Sequence, residues 1–270
     1  MRQLDLGPCE GPIVLFGGPY SNLQATEALL STKDVANAET LICTGDVVAY
    51  AADASATIAA VRASGAVVVA GNCEKQLAAG AADCGCGFEE GSACDLLSVG
   101  WFSHANAQVG QADRAWMARL PDIVTFSHAG RRYGVIHGGV TDIARFIWPE
   151  TPTAVLDREW AAAEQHVGPL DAIVCGHSGL PFVRTLDQGD WINAGVIGMP
   201  PHDGAPQTRY VNLRAGRATI MSLTYDWPQA QAAMRQAGLT QGYDTALKTG
   251  YWPSEDVLPP ERRRSSLASG

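Results

Sequence analysis

Four apolar, strand-like runs in this sequence end in a residue that can bind a divalent metal. "TLICTGDVVAY" delivers Asp46 behind Gly45, and "AVVVAGNCE" delivers Asn72 behind Gly71. "YGVIHGG" delivers His137, and "AIVCGHSG" delivers His177 behind Gly176. A residue that follows a buried strand sits at the mouth of its sheet, and a neighbouring glycine lets the backbone turn sharply or approach a ligand. One carboxylate, one amide and two imidazoles form an oxygen/nitrogen donor set suited to a borderline ion such as Mn, Fe or Zn. Singly, each has a plainer explanation: a strand-end His as a hydrogen-bonded structural residue, an Asp after Gly as a turn or cap. The same pattern at four strand ends points instead to a metal centre.

The elements that must position these residues can be read from the hydrophobic pattern. Strand-like runs fall at 13–16, 40–43, 66–70, 122–127, 131–136, 171–175, 181–186, 191–197, 207–213 and 218–224. Helical patterns fall at 22–31, 54–64, 93–102, 111–119, 157–166 and 227–237. The first half alternates strand and helix, which predicts parallel pairing. In the second half, turns such as "RTLDQGDW" and "NLRAGRAT" predict hairpins. A mixed sheet, or two facing sheets with outer helices, fits this order. Residues 1–225 are expected to form one domain, followed by a helical extension and irregular tail over 226–270.

Composition narrows the function. The chain has 270 residues and a net charge of −9, which argues against a groove for nucleic-acid phosphates. It has no apolar run long enough for a membrane span, and its N-terminal stretch lacks the apolar core of a signal peptide, so a cytoplasmic location is expected. The oligomeric state is not legible. Of seven cysteines, Cys43 and Cys175 end apolar runs and are expected as buried thiols. Cys73, Cys84, Cys86 and Cys94 have no zinc-ribbon spacing; free thiols, a soft-metal site and a disulfide all remain open for them.

The order Gly45-Asp46, Gly71-Asn72, His137-Gly138-Gly139, Gly176-His177 resembles the calcineurin-like metallophosphoesterase superfamily, and its smaller bacterial members in particular. The resemblance runs over about residues 12–225. It implies an α/β fold: a four-layer α/β/β/α sandwich of two mixed β-sheets flanked by helices. It also implies a two-metal centre whose activated water hydrolyses a small phosphorylated substrate.

The resemblance is uneven. In "IVLFGGPYSNLQATEALL" the family's opening Asp and His fall on Gly18 and Tyr20, while its Asn matches Asn22; the second His of its last motif falls on Gly179. Carried over residue by residue, one metal keeps only Asp46, and the other keeps Asp46, Asn72, His137 and His177. One divalent ion per chain is therefore expected. The stripped turn reads either as purely structural or as a substrate cradle built from the Gly18 backbone and the Tyr20 hydroxyl. Cys73 takes the place of a His that resembles a general acid. It reads as a proton donor beside the catalytic Asp46, as a thiolate ligand, or as a tolerated small residue. Arg145, in "TDIARFIWPE", reads as a phosphate-gripping lid residue or as a surface ion pair. Two functions follow: a metal-dependent phosphoesterase, or a catalytically silent relative that binds a metal or phosphorylated ligand as a sensor or partner.

Overall fold

The computed structural model describes residues 1–264. The run Ile13–Phe16 (β2) is buried along its whole length, because the strand is covered on both faces. Ile13 and Leu15 face a layer shared with Val124, Phe126, Val135 and Val174, whereas Val14 and Phe16 face helices. Thr40–Cys43 (β3) and Val67–Val68 (β4) pair parallel to β2 in turn. Between them the chain passes through helices Leu23–Leu30 (α1), Lys33–Ala36 (α2) and Ala54–Ala63 (α3). Thr208–Arg214 (β10) adds antiparallel on the other side of β2, and Arg217–Leu223 (β11) closes that five-stranded sheet. The β10–β11 turn is made by Ala215 and Gly216, both at positive φ (48° and 75°), the geometry that two-residue hairpins require.

The second sheet has six strands, comprising Gln3–Pro8 (β1), Ile123–His128 (β5), Arg131–Val135 (β6), Ala172–Cys175 (β7), Phe182–Leu186 (β8) and Gly189–Asn193 (β9). Its order is β1-β5-β6-β7-β9-β8, with parallel and antiparallel pairs mixed. Ile173, Cys175 and Trp191 pack outward against Leu156, Trp160 and Ala163 of helix Thr153–Val167 (α7). The layers are therefore helices, sheet, sheet, helix, the α/β sandwich of two mixed sheets that the motif order implied.

Several elements escape the sequence reading. β1 is largely exposed, so it carries little hydrophobic periodicity. The 66–70 run yields only Val67–Val68, because Val69 and Ala70 leave the ladder to bond the carbonyls of Cys43 and Pro121 (2.9 and 2.8 Å). Helix Asn72–Ala79 (α4) begins on a candidate ligand itself and stops at Gly80, at φ 67°. Helix Ala93–Gln108 (α5) runs six residues beyond its expected end, and Gln111–Met117 (α6) follows. Trp227–Gln236 (α8) and Tyr243–Thr249 (α9) place Met234, Tyr243 and Leu247 in the same core cluster as Phe16 and Leu29.

Candidate metal centre

The loops after β3, β4, β6 and β7 meet at one end of the two sheets. Asp46 follows β3 at φ 54° and His177 follows β7 at φ 59°, both in the left-handed region that non-glycine residues seldom adopt. Gly45 and Gly71 let the first two loops touch. A Cβ on Gly45 would lie 2.8 Å from His137 Nδ1, and one on Gly71 would lie 2.3 Å from Asp46 Oδ1.

Four donor atoms converge in the space this leaves. His137 Nε2 lies 3.0 Å from Asn72 Oδ1, 3.0 Å from His177 Nδ1 and 3.2 Å from Asp46 Oδ2. His177 Nδ1 lies 3.8 Å from the same Asp46 oxygen. Ligands bound at ~2.0–2.2 Å around a tetrahedral ion are ~3.3–3.6 Å apart, so these spacings fit one shared ion. Among the described residues, Asp46, His137 and His177 are the group of His, Cys, Asp and Glu donors close enough to hold a metal together. All three are buried, as is Asn72.

The surrounding contacts orient each donor. His137 Nδ1 donates to the Thr44 carbonyl at 2.7 Å, which turns the Nε2 lone pair toward the centre. Asn72 Nδ2 donates to the Cys84 carbonyl at 2.9 Å and approaches Cys86 Sγ at 3.3 Å, so its Oδ1 faces inward. Burial alone would raise the Asp46 pKa, but the charges and hydrogen bonds of His137 and His177 outweigh it and hold the carboxylate ionised. Burial would lower the His137 pKa; Asp46 reverses this and raises it. His177 is pushed down, first by burial. The two imidazoles around Asp46 thus shift in opposite directions.

Glu74, in the motif Gly71-Asn72-Cys73-Glu74, is the residue of this centre to which the sequence reading gave no role. It is fully buried, and its carboxylate accepts from the backbone N–H groups of Asp46 (2.8 Å), Val47 (2.8 Å), Val48 (3.4 Å) and Gly71 (2.9 Å). It ties the Asp46 loop to the start of α4 and so fixes two donors at once. An acid at the third position of a helix, reaching back to its cap, is the available signal.

The other expected site residues fall as follows. Cys73 is a buried free thiol beside Asp46; burial and that carboxylate raise its pKa well above the ordinary value, so it keeps its proton. Cys84 and Cys86 are joined as a disulfide, while Cys94 is free and buried. Asn22 caps α1, accepting from Ala25 N at 3.0 Å and donating to the Gly198 carbonyl at 3.0 Å. The backbone N–H groups of Gly18 and Tyr20 donate to the carbonyls of Gly45 and Asp46 (3.1 and 3.2 Å), so neither points free into the site. The Tyr20 hydroxyl faces the His177 carbonyl at 3.4 Å, and burial raises its pKa strongly. Arg145 pairs with the buried carboxylate of Glu159 at 2.9 Å, on the loop that carries Phe146 to 4.5 Å from the His177 ring.

The half of the centre that lacks ligands is narrowed by apolar side chains around a small cavity of about 50 Å³. A Cβ on Gly18 would lie 2.6 Å from the Tyr20 ring and 2.7 Å from Val196 Cγ1. A Cβ on Gly179 would lie 3.4 Å from the Trp252 ring and 3.6 Å from Val196 Cγ2. Tyr20, Val196 and Trp252 thus occupy the space into which side chains at Gly18 and Gly179 would project.

Comparison with known proteins identifies the family and the fold. The family model for the calcineurin-like phosphoesterase superfamily domain matches residues 19–215. Among solved structures, a metallophosphoesterase from Sphaerobacter thermophilus is 21% identical, with a TM-score of 0.69, over 88% of this chain and 98% of that one. A hypothetical protein from Pyrococcus horikoshii OT3 is 14% identical, with a TM-score of 0.71, over 89% and 98%. A search of curated proteins finds no match to the chain. Among the described residues, no helix is long and apolar enough to cross a membrane.

Proposed function

We propose that this chain, which belongs to the calcineurin-like phosphoesterase superfamily, hydrolyses a small phosphate mono- or diester with one divalent ion held by Asp46, Asn72, His137 and His177. The observation that carries this reading is that Asn72 Oδ1, His177 Nδ1 and Asp46 Oδ2 all lie 3.0–3.2 Å from His137 Nε2, with His177 Nδ1 3.8 Å from the same Asp46 oxygen. A divalent ion bound there supplies Lewis-acid polarisation and lowers the pKa of its water towards about 7. The protein does the rest. Asp46 contributes the negative charge that keeps the cation in place. His137, locked by Thr44, presents one nitrogen in a fixed tautomer. Cys73, a buried free thiol beside Asp46, would serve as the proton donor to a departing alkoxide. With one ion the site lacks the two-ion clamp on both attacking and leaving oxygens, so esters with good leaving groups are the better substrates.

The test is metal analysis of the purified full chain together with turnover of p-nitrophenyl phosphate and bis(p-nitrophenyl) phosphate. About one Mn, Fe or Zn per chain is expected, with hydrolysis of at least one ester. His177→Ala should lose most of both. Unchanged metal content in that variant would refute the centre.

A second reading has its own support. Tyr20, Val196 and Trp252 narrow the ligand-poor half, as expected of a silent relative that holds a metal without turnover. One ion per chain with no hydrolysis above background would favour it.

A further inference from the structure

Resting on the metal-centre reading, we propose that residues 251–264 form a strap that must lift to admit substrate, and that the cavity beneath it receives an uncharged, apolar leaving group. That cavity adjoins His177 and measures about 50 Å³. A cavity of ~150 Å³ holds a benzene ring, so with the strap closed this cavity is too small for an aryl group. Its roof is Trp252, Ser254 and Val257; its walls include Tyr50, Phe88, Phe146 and Tyr243. No Lys or Arg is among its described lining residues, so it offers no countercharge to a second phosphate or a carboxylate.

The way the strap is held makes it separable from the domain. It joins neither sheet, and beyond α9 it contains one short 3-10 turn, Pro260–Arg262. Side chains fasten it. Trp252 Nε1 donates to the Pro200 carbonyl at 2.7 Å, and Arg262 Nε to Glu150 Oε2 at 2.9 Å. Glu255 accepts from His202 Nε2 at 3.1 Å and pairs with Arg264. Leu258 packs against Trp148 and Leu180. Segments held this way open locally at less cost than strands of the core.

Cys94 offers a readout that needs neither metal nor turnover. It is a free thiol, 4% exposed, in the wall of the same cavity. The folded full chain is treated with iodoacetamide, and alkylation is followed at Cys94 and at Cys175, which is fully buried between β7 and α7. Trp252→Ala should speed alkylation of Cys94 tenfold or more, with Cys175 unchanged. Arg262→Glu, which touches only the outer fastener, should speed it about two- to fivefold, as loss of an exposed ion pair allows. The exchange Glu150→Arg with Arg262→Glu should restore protection. No acceleration at Cys94 in either variant, or equal acceleration at Cys175 in both, overturns the strap. For the leaving group, wild-type protein should cleave p-nitrophenyl phosphate at least tenfold faster than adenosine triphosphate. Equal rates, or a chain that binds no metal and cleaves neither, overturn the subsite, while accelerated Cys94 labelling would still support the strap.

Discussion

Replacing Glu74 by Gln tests whether a residue that need not touch a metal determines whether one is held. The substitution keeps size and shape but turns one acceptor oxygen into an NH2 group. In the native site Oε2 receives the N–H groups of Asp46 and Gly71, and Oε1 those of Val47 and Val48. Whichever oxygen is lost, two buried backbone donors lose their acceptor and face another donor. Leaving a buried donor unsatisfied costs ~1–3 kcal/mol, so two cost ~2–6 kcal/mol. A domain is stable by ~5–15 kcal/mol, so the variant should fold with a visibly lower urea midpoint. The larger consequence is local. Asp46 stands at φ 54° because its own N–H and that of the next residue are held by Glu74. Freed from that anchor, the loop can relax towards ordinary backbone geometry and carry the carboxylate away from His137. Removing a residue that orients a ligand typically costs ~10–100-fold in metal affinity.

Calorimetric titration of apo protein with zinc or manganese measures that affinity, and urea unfolding measures stability. The two readouts separate the mechanism from simple damage. A destabilised variant with wild-type metal affinity would show that the donors hold their places without Glu74, and the reasoning would be wrong. So would a variant with wild-type stability, because the four hydrogen bonds could not then be as described.

Restoring two of the three missing ligands, with Tyr20 left in place, should not restore a second ion. Gly18→Asp places a Cβ 2.6 Å from the Tyr20 ring at a residue with φ 35°, so overpacking of ~1–3 kcal/mol is expected. Metal analysis of Gly18→Asp with Gly179→His should still give about one ion per chain, and two would refute the narrowed-half account. Cys73→Ala should leave metal content unchanged and slow alkyl phosphates far more than p-nitrophenyl phosphate, because only a poor leaving group needs its proton. Equal slowing of both in steady-state assays would remove Cys73 as the proton donor.

The donors were legible because each ends a buried run, and burial imposes an apolar pattern that a single polar residue interrupts. β2, β3 and β7 could be located for the same reason. β1 could not, since an exposed edge strand leaves no such pattern. The full role of Glu74 was hidden for a different reason. A cap signal at the third helix position was present, but its further partners are the backbone N–H groups of Asp46, Val47 and Val48, and a sequence does not state where those point. The Cys84–Cys86 disulfide was one of three open readings, because spacing alone does not separate bonded sulfurs from free or metal-bound ones.

The emptiness of the first turn has the same physical logic as the fullness of the strands. A two-ion centre concentrates positive charge, and its ligands must be ionised or polar. Once Gly18 and Gly179 carry no side chain, an aqueous void beside buried His177 would have to be hydrated or filled. Tyr20 and Val196 narrow it from the sheet side and Trp252 from the far end of the chain, leaving a cavity of about 50 Å³. The C-terminal segment thus borders a position where a ligand is missing: a Cβ on Gly179 would touch the Trp252 indole at 3.4 Å. Tyr20, Val196 and Trp252 lie together on this side of His177. On the other side Asp46, Asn72, His137 and His177 keep distances suited to an ion.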